Sequence, residues 1–238
     1  MSNLSGITVA ILAGGQGTRL KSLLPGQQKV IAKVKEHPFL EYILNQLNKN
    51  GFKNVMLCTG HLGDQVQETF GSNYQNLALL YSREPSALGT AGAIRFALPH
   101  LESEDILIMN GDSFYDCDLQ SAYDFHLKKG ANGTILLTKV DNTARYGKIE
   151  LNENDEIVSF EEKAKSKGMG LINAGIYFIR KSLLLEIPKE NTISFENEIF
   201  PSWIGKSFYG FKTTGRFIDI GTPESYKEAE EFFSLKPI

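Results

Sequence analysis

The fold is decided by Thr8-Val9-Ala10-Ile11-Leu12-Ala13-Gly14-Gly15-Gln16-Gly17-Thr18-Arg19-Leu20, in which an apolar run of strand length ends in a glycine-rich turn. A short, uninterrupted apolar run indicates a strand that is buried on both faces of a sheet. Glycines directly after such a strand let the backbone bend tightly and bring its N–H groups against a phosphate. The stretch therefore predicts a buried strand followed by a phosphate-binding turn.

Two common phosphate-binding motifs do not fit this turn. The P-loop needs a glycine, four residues and then Gly-Lys-Ser/Thr, which the chain lacks here. The dinucleotide pattern G-x-G-x-x-G would start at Gly15 and Gly17 but meets Leu20 at its third glycine. A third interpretation is a GG-x-G-T-R turn in which Arg19, with Lys29 nearby, faces a triphosphate. The alternative is a tight structural turn that binds nothing.

Strands and helices alternate through the first half of the chain. The predicted strands are Thr8–Ala13, Asn54–Thr59, Leu77–Tyr81 and Asp105–Met109, and predicted helices follow Pro38 and cover Gly63–Phe70, Thr90–Leu98 and Leu119–Lys129. Such alternation is typical of βαβ units with right-handed crossovers. We therefore predict an α/β fold with a doubly wound, mostly parallel (Rossmann-like) sheet.

The second half of the chain is richer in predicted strands. These are Gly133–Val140, Gly147–Leu151, Glu156–Glu162, Leu171–Ile179, Phe208–Lys212 and Phe217–Ile220, with short helices around Ser182–Ile187 and Phe195–Trp203 and a last helix, Pro223–Phe233. Thr222 is the expected N-cap of that last helix. Because no Pro/Gly/Ser-rich linker separates the halves, we predict a single domain with a β-rich extension.

Composition excludes several classes of protein. The formal net charge of the 238-residue chain is −3, so it lacks the overall basic footprint of a duplex-binding protein. The apolar run Ile7–Ala13 is far shorter than the roughly 20 residues that cross a bilayer, and no basic segment precedes it. Cys58 and Cys117 lack metal-ligand spacing and are expected to be reduced thiols. We expect a cytoplasmic protein without nucleic-acid or membrane partners, and leave a homo-oligomer open.

The residues from Leu12 to Leu20 resemble the signature of the sugar-phosphate nucleotidylyltransferases. That signature is roughly L-A-G-G-x-G-T-R-L, about ten variable residues, and then P-K-P. Here its second part is Gln28-Lys29-Val30, so the lysine is kept and both prolines are missing. We expect the missing prolines to loosen the loop that carries Lys29 without removing its charge.

Further segments resemble the same family in the same order along the chain. They are Glu84-Pro85 leading to Leu88-Gly89-Thr90-Ala91-Gly92-Ala93, Asn110-Gly111-Asp112, Glu161-Glu162-Lys163, Asn173-Ala174-Gly175-Ile176-Tyr177 and Asp219-Ile220-Gly221-Thr222-Pro223-Glu224. The resemblance implies one nucleotidyltransferase domain over residues 1–238. Residues 1–130 would bind the nucleotide, and residues 131–238 would bind the sugar phosphate.

The implied reaction joins a nucleoside triphosphate and a sugar 1-phosphate to give a nucleotide sugar and pyrophosphate, with Mg²⁺ as the cofactor. Two polyanions must approach each other, so the protein has to position them and neutralise their charge. The implied catalytic residues are Arg19, Lys29 and Asp112, and the implied metal ligands are Asp112 and Asp219. The implied nucleotide-binding residues are Leu12, Ala13, Gly14, Gly15, Gly17, Thr18, Glu84, Gly89, Thr90, Asn110 and Gly111, and the implied sugar-phosphate-binding residues are Tyr146, Gly147, Glu162, Lys163 and Asn173.

Physical chemistry supports several of these roles, but each has a structural alternative. Arg19 suits the departing pyrophosphate because its rigid fork matches phosphate oxygens. Asp112 follows a predicted parallel strand at its carboxyl end, where ligands of open α/β sheets bind. Asp112 and Asp219 could instead be turn or helix caps, Lys163 could belong to a solvated charge run, and Asn173 could be paired with the backbone.

Some details resemble the branch of the family that makes GDP-activated heptose. They are Asn110-Gly111-Asp112-Ser113 with Asp116-x-Asp118-Leu119, Arg145-Tyr146-Gly147, and Phe217–Pro223 with Ser225-Tyr226. The substrates predicted from this are GTP and D-glycero-α-D-manno-heptose 1-phosphate. The alternatives are a mannose-1-phosphate guanylyltransferase, a hexose-1-phosphate uridylyl- or thymidylyltransferase, and an inactive nucleotide-sugar-binding regulatory subunit. Retention of Arg19, Lys29 and both aspartates favours an active enzyme.

Overall fold

A computed structural model of the protein describes residues 2–15, 17–20, 23–161, 168–189 and 192–235. The strands are β1 Thr8–Leu12, β2 Lys33–Val34, β3 His37–Pro38, β4 Asn54–Thr59, β5 Asn73–Tyr74, β6 Leu77–Arg83, β7 Asp105–Asn110, β8 Ser113–Tyr115, β9 Gly133–Val140, β10 Lys148–Leu151, β11 Ile157–Glu161, β12 Gly170–Arg180, β13 Phe208–Lys212 and β14 Phe217–Asp219. The helices are α1 Phe39–Lys49, α2 Gly63–Phe70, α3 Gly89–Ala97, α4 Leu119–Lys128, α5 Lys181–Leu184, α6 Phe200–Trp203 and α7 Pro223–Phe232. A π-helical turn, Phe195–Ile199, leads into α6.

Strand β1 lies at the centre of the main sheet and determines where a ligand can bind. It pairs in parallel with β4 on one side and with β7 on the other. The sheet runs in the order β11-β10-β12-β7-β1-β4-β6-β5, with β9 paired to β12 and β13 paired to β9. The strand order reverses at β1, and the crevice outside the carboxyl ends of the strands at such a reversal is the usual ligand site of open α/β sheets.

Helices cover both faces of this sheet, which confirms the predicted doubly wound α/β fold. Along β1, Val9 and Ile11 lie in one hydrophobic cluster with α1, α2, α4 and α7. Ala10 lies in a second cluster, on the opposite face, with α3, α5 and α6. Burial on both faces explains why the central strands are continuously apolar. Trp203 is fully buried in the second cluster.

The β-rich half continues the same sheet with antiparallel strands. The long strand β12 pairs with β7 through Ile176–Arg180 and with β10 at Leu171 and Ile172. Its register with β9 shifts between Asn173 and Tyr177, which marks a β-bulge. Bulges of this kind redirect side chains and are frequent beside active sites.

A separate two-stranded ribbon was not foreseen from the sequence. In it, β14 pairs antiparallel with β8, so that Asp219 lies opposite Ser113. Helix α7 follows directly, and its N-cap Thr222 forms a reciprocal capping box with Ser225, which confirms the predicted cap. In the part of the chain that the structure describes, no helix is both long enough and apolar enough to span a bilayer.

Candidate active site

A first cavity, of about 300 Å³, opens at the carboxyl ends of β1, β4 and β7. Leu12, Cys58 and Asn110 lie side by side there, because Leu12 is in register with Cys58 on β4 and with Asn110 on β7. The predicted nucleotide-binding residues that line this cavity are Leu12, Gly14, Gly15, Glu84, Gly89, Thr90 and Asn110, together with Lys29 and Asp112. The lining residues that sequence reasoning missed are Gln28, Val30, Cys58, Ala87 and Ala93.

Backbone hydrogen bonds hold the glycine-rich turn against the neighbouring strands. The Ala13 N–H donates to the carbonyl of Cys58 at 2.8 Å, and the Gly111 N–H donates to the carbonyl of Leu12 at 2.9 Å. Neither Ala13 nor Gly111 lines the first cavity. Both residues fix the position of those that do.

Helix α3 begins at the wall of this cavity, where it meets the chain near Ile193. Gly89 has a φ of +74°, and a Cβ there would lie 2.4 Å from the carbonyl oxygen of Ile193. That carbonyl accepts the N–H groups of Ala91 and Gly92. Thr90 Oγ1 accepts the Phe195 N–H at 2.8 Å. Only glycine permits this close approach, which explains its position in the segment.

Glu84 provides a second carboxylate to the first cavity, besides that of Asp112. One of its oxygens accepts the Leu88 N–H at 3.2 Å. Burial raises the pKa of Glu84, and the hydrogen bond from Leu88 offsets part of that rise. The Glu84 carboxylate is thus a hydrogen-bond acceptor in the cavity, and its protonation depends on burial and on the Leu88 N–H.

A second cavity, of about 390 Å³, adjoins the first, since Asn110 and Asp112 border both. The predicted site residues that line it are Arg19, Asn110, Asp112, Tyr146, Asn173 and Asp219. The other lining residues are Ser113, Arg145, Ala174, Gly175, Phe217, Gly221 and Thr222. The two cavities therefore form one continuous crevice with Asp112 at its junction.

Asp112 forms an ion pair with the ammonium group of Lys29. Burial favours the neutral acid, but the charge and hydrogen bond of Lys29 outweigh it and hold the pKa of Asp112 below its ordinary value. The Lys29 side chain is only 14% exposed, whereas that of Asp112 is 37% exposed. The carboxylate thus stays ionised and accessible from the crevice.

Asp219 is brought to the same crevice by the pairing of β14 with β8. The Ile220 N–H next to it donates to the Asp112 carbonyl at 2.9 Å. The Tyr146 hydroxyl donates to Asp219 Oδ2 at 2.6 Å, and the Arg145 guanidinium lies 3.1 Å from both carboxylate oxygens. Burial and the bond to Asp219 raise the pKa of Tyr146. Asp219 is therefore oriented by two neighbouring side chains.

Asn173 lies at the bulge of β12. Its Oδ1 accepts the Gly175 N–H at 2.8 Å, and its Nδ2 donates to the Tyr177 hydroxyl at 2.8 Å. Gly175 has a φ of +77°, and a Cβ there would lie 2.7 Å from Ser113 Oγ. The bulge thus turns the Asn173 amide toward the second cavity while leaving it further hydrogen-bonding capacity.

Several predicted residues lie outside both cavities. These are Ala13, Gly17, Thr18, Gly111 and Gly147. The Gly147 carbonyl accepts the N–H of Asn173 at 3.3 Å and so supports the bulge. The predicted phosphate-binding residues Glu162 and Lys163 lie outside the described residues.

The donor set of the crevice fits a divalent cation. Asp112 and Asp219 supply carboxylate oxygens to one cavity, and Mg²⁺ prefers one or two carboxylates together with phosphate oxygens and water. Among the described residues, no group of three or more His, Cys, Asp and Glu side chains is arranged to hold a metal. Any cation here would therefore depend on substrate oxygens and water for the rest of its ligands.

Comparison with known proteins gives consistent results. Residues 8–235 match the family described as Nucleotidyl transferase. The chain is 34% identical to D-glycero-alpha-D-manno-heptose 1-phosphate guanylyltransferase of Aneurinibacillus thermoaerophilus, over 93% of this chain and 96% of that protein. It is 36% identical to the protein of the same name from Campylobacter jejuni, over 91% of this chain and 95% of that protein. The crystal structure of HddC from Yersinia pseudotuberculosis complexed with GMP-PN superimposes with a TM-score of 0.84 at 30% identity, covering 95% of this chain and 99% of that one.

Proposed function

Since the chain belongs to the nucleotidyl transferase family, we propose that it transfers a guanylyl group from GTP to D-glycero-α-D-manno-heptose 1-phosphate, giving GDP-heptose and pyrophosphate. The observation that carries this proposal is the pair of adjoining cavities that share Asn110 and Asp112. One cavity suits each substrate, and their junction suits the reacting phosphates. The names of the similar guanylyltransferases support the choice of base and sugar.

The nucleotide occupies the first cavity, formed within residues 1–130, and the sugar phosphate occupies the second, to which residues 131–238 contribute. An oxygen of the sugar 1-phosphate attacks the α-phosphorus of GTP. The bond from that phosphorus to the bridging oxygen breaks, and pyrophosphate leaves with the bonding electrons. No covalent bond to the protein is needed, so the enzyme acts by positioning and by charge neutralisation.

The cationic side chains of the crevice are proposed to neutralise the phosphate groups of the two substrates. Lys29 lines the first cavity beside Asp112 and neutralises the α-phosphate or the attacking phosphate. Arg19 lines the second cavity, and no ion-pair partner for it occurs within residues 2–15, 17–20, 23–161, 168–189 and 192–235. Its charge helps to lower the pKa of Asp112, so the guanidinium lies near the junction of the cavities, from which we propose that it meets the charge that develops on pyrophosphate. Lys163 is proposed to bind the sugar phosphate.

Mg²⁺ would be held by the carboxylates of Asp112 and Asp219. When bound, it supplies charge neutralisation for the phosphate oxygens. Tyr146 and Arg145 orient the Asp219 carboxylate, and Lys29 holds that of Asp112. Because the reaction consumes a nucleoside triphosphate, we assign it to the cytoplasm.

Glu84 is the proposed acceptor for guanine. The pairing edge of guanine carries N–H donors, which a carboxylate can accept. Glu84 lines the first cavity, and one of its oxygens is engaged by Leu88. A carboxylate in this place favours guanine over bases that offer only acceptors at the corresponding positions.

The proposal is tested by measuring pyrophosphate release for GTP, UTP, dTTP and CTP with heptose, mannose, glucose and N-acetylhexosamine 1-phosphates. We expect the highest kcat/KM for GTP with the heptose phosphate. A pocket that merely accommodates the seventh carbon of heptose rejects mannose 1-phosphate weakly. A pocket that hydrogen-bonds the hydroxyl on that carbon favours the heptose phosphate by about 10⁴-fold in kcat/KM. A preference for another base or for a hexose phosphate would contradict the substrate assignment while leaving the family membership intact.

A further inference from the structure

Gln28 occupies the position where the P-K-P signature has its first proline. Its φ is −69°, a value that proline itself adopts. Its N–H donates to Gln65 Oε1 at 2.8 Å. Hydrogen bonding thus maintains here a backbone conformation that proline would fix covalently.

The side chain of Gln28 joins two loops around the first cavity. It is only 2% exposed, and its Nε2 lies 2.9 Å from the Ala13 carbonyl oxygen and 3.2 Å from those of Gly15 and His61. Ala13 and Gly15 belong to the glycine-rich turn, whereas His61 belongs to the loop between β4 and α2. A single amide therefore links the turn after β1 to the loop after β4.

The surrounding acceptors determine the orientation of this amide. With nitrogen and oxygen exchanged, Oε1 would face three carbonyl oxygens, which is repulsive. In the observed orientation Oε1 is buried and has no hydrogen-bond partner among the described residues. The carbonyl groups of Ala13, Gly15 and His61 therefore fix which way this amide points.

Gln65 supports the same loop from its other side. Its Nε2 donates to the Gly26 carbonyl at 2.8 Å, and its Oε1 accepts the Gln28 N–H. Residues 26–28 are thereby held between α2 and the glycine-rich turn. Lys29 follows immediately, and its ammonium lies against Asp112.

We propose that Gln28 is a positioning residue for nucleotidyl transfer, whose side-chain amide closes the glycine-rich turn and fixes the approach of Lys29 to the triphosphate. The inference rests on the proposed function in placing the triphosphate in the first cavity. Proline would restrict this backbone covalently, whereas the Gln28 amide holds it through contacts with the carbonyl groups of Ala13, Gly15 and His61. Gln28 itself need not touch the substrate.

Gln46 provides a matched control for a test of this role. It is also buried, at 6% exposure, its Nε2 also donates to a backbone carbonyl, that of Tyr115 at 2.8 Å, and its Oε1 also lacks a partner among the described residues. It lines neither cavity. Gln28→Met and Gln46→Met therefore remove the same groups from similar surroundings, but only the first affects the turn.

The kinetic test compares these variants with the wild type. We expect Gln28→Met to lower kcat/KM for the triphosphate by about 10²-fold, as small misplacements of reacting groups do, with KM for the sugar phosphate changed less than twofold. Gln46→Met should leave both parameters within twofold, although it lowers Tm. Equal kinetic effects of the two substitutions, or an equal rise in KM for both substrates, would show that Gln28 is merely structural.

A second measurement does not depend on the identity of the substrates. Amide hydrogen exchange should become faster in Gln28→Met for peptides that contain Ala13 and His61, and it should not do so in Gln46→Met. Unchanged exchange at both peptides would overturn the proposed bridge. Faster exchange without GTP-dependent activity in the wild type would instead uphold the bridge and refute the proposed function.

Discussion

Lys29 and Asp112 form an ion pair at the junction of the two cavities, although 83 positions separate them in the chain. Lys29 begins a short 3₁₀ helix, Lys29–Ile31, after the glycine-rich turn, and Asp112 follows β7. The pair places a cation and an anion side by side where, in the proposed reaction, two phosphate groups meet. Each member can therefore orient the other for its role in the reaction.

Asp112→Asn should abolish activity while the protein still folds. The substitution keeps the size of the side chain but removes the negative charge that would bind Mg²⁺ and pair with Lys29. We expect a loss of at least about 10²-fold in kcat at saturating Mg²⁺. Pyrophosphate release measures the loss, and circular dichroism checks the fold. Full turnover by this variant would remove Asp112 from the site.

Arg19→Ala should lower kcat more than it weakens binding of the sugar phosphate. Charge on the departing pyrophosphate increases in the transition state, so a cation that faces it acts mainly there. Removal of one such contact typically costs about 10²-fold. Steady-state kinetics with each substrate varied separately provide the test. An increase confined to KM for the sugar phosphate would assign Arg19 to the other substrate.

Tyr146→Phe should raise the Mg²⁺ concentration needed for half-maximal activity. The variant loses the 2.6 Å hydrogen bond to Asp219 but leaves Arg145 in contact with the carboxylate. Loss of a group that orients a metal ligand typically weakens metal binding by about 10- to 100-fold. Titration with Mg²⁺ measures the change.

Tyr81→Phe is the control for that experiment, because the Tyr81 hydroxyl donates to the Gly71 carbonyl at 2.6 Å and lines neither cavity. Its Mg²⁺ dependence should equal that of the wild type. Identical Mg²⁺ curves for Tyr146→Phe and the wild type would speak against Asp219 as a metal ligand.

GTP binding should weaken as the pH falls through the raised pKa of Glu84. Burial raises this pKa above its ordinary value of 4.5, so protonation begins at a higher pH than for an exposed glutamate. Only the ionised carboxylate accepts N–H donors at both oxygens. KM for GTP should therefore increase toward low pH. In Glu84→Gln it should be higher than in the wild type above this pKa and similar below it, and the step assigned to Glu84 should disappear. The same step in both proteins would exclude Glu84 as its source.

Local patterns predicted the central sheet well. The strands around β1 are buried on both faces, so each is a continuous apolar run, and the predicted strands and helices of the first half end within two residues of those observed. The glycine-rich turn and the acidic residue after β7 were predicted for the same reason: each directly follows such a strand. The roles of the site residues remain predictions.

Other features depend on contacts between distant parts of the chain. The three-residue strand β8 has no periodicity of its own, so its pairing with β14 could not be predicted. Gln28 carries no charge, and the missing prolines suggested only a looser loop. Its bridge depends on carbonyl groups of two other loops. Arg145 was noted as part of a family-like segment, but its contact with Asp219 is visible only in the folded chain.

The pairing of β8 with β14 determines how the carboxylate of Asp219 reaches the second cavity. Ser113 and Asp219 face each other across a loop of about a hundred residues, and closing so long a loop is entropically costly and kinetically slow. The first cavity is lined by residues from Leu12 to Asp112, whereas Asp219 lines the second cavity and reaches it through this long-range pairing. The two proposed metal ligands are therefore placed by different means: Asp112 follows a central strand, whereas Asp219 depends on the docking of β14 against β8.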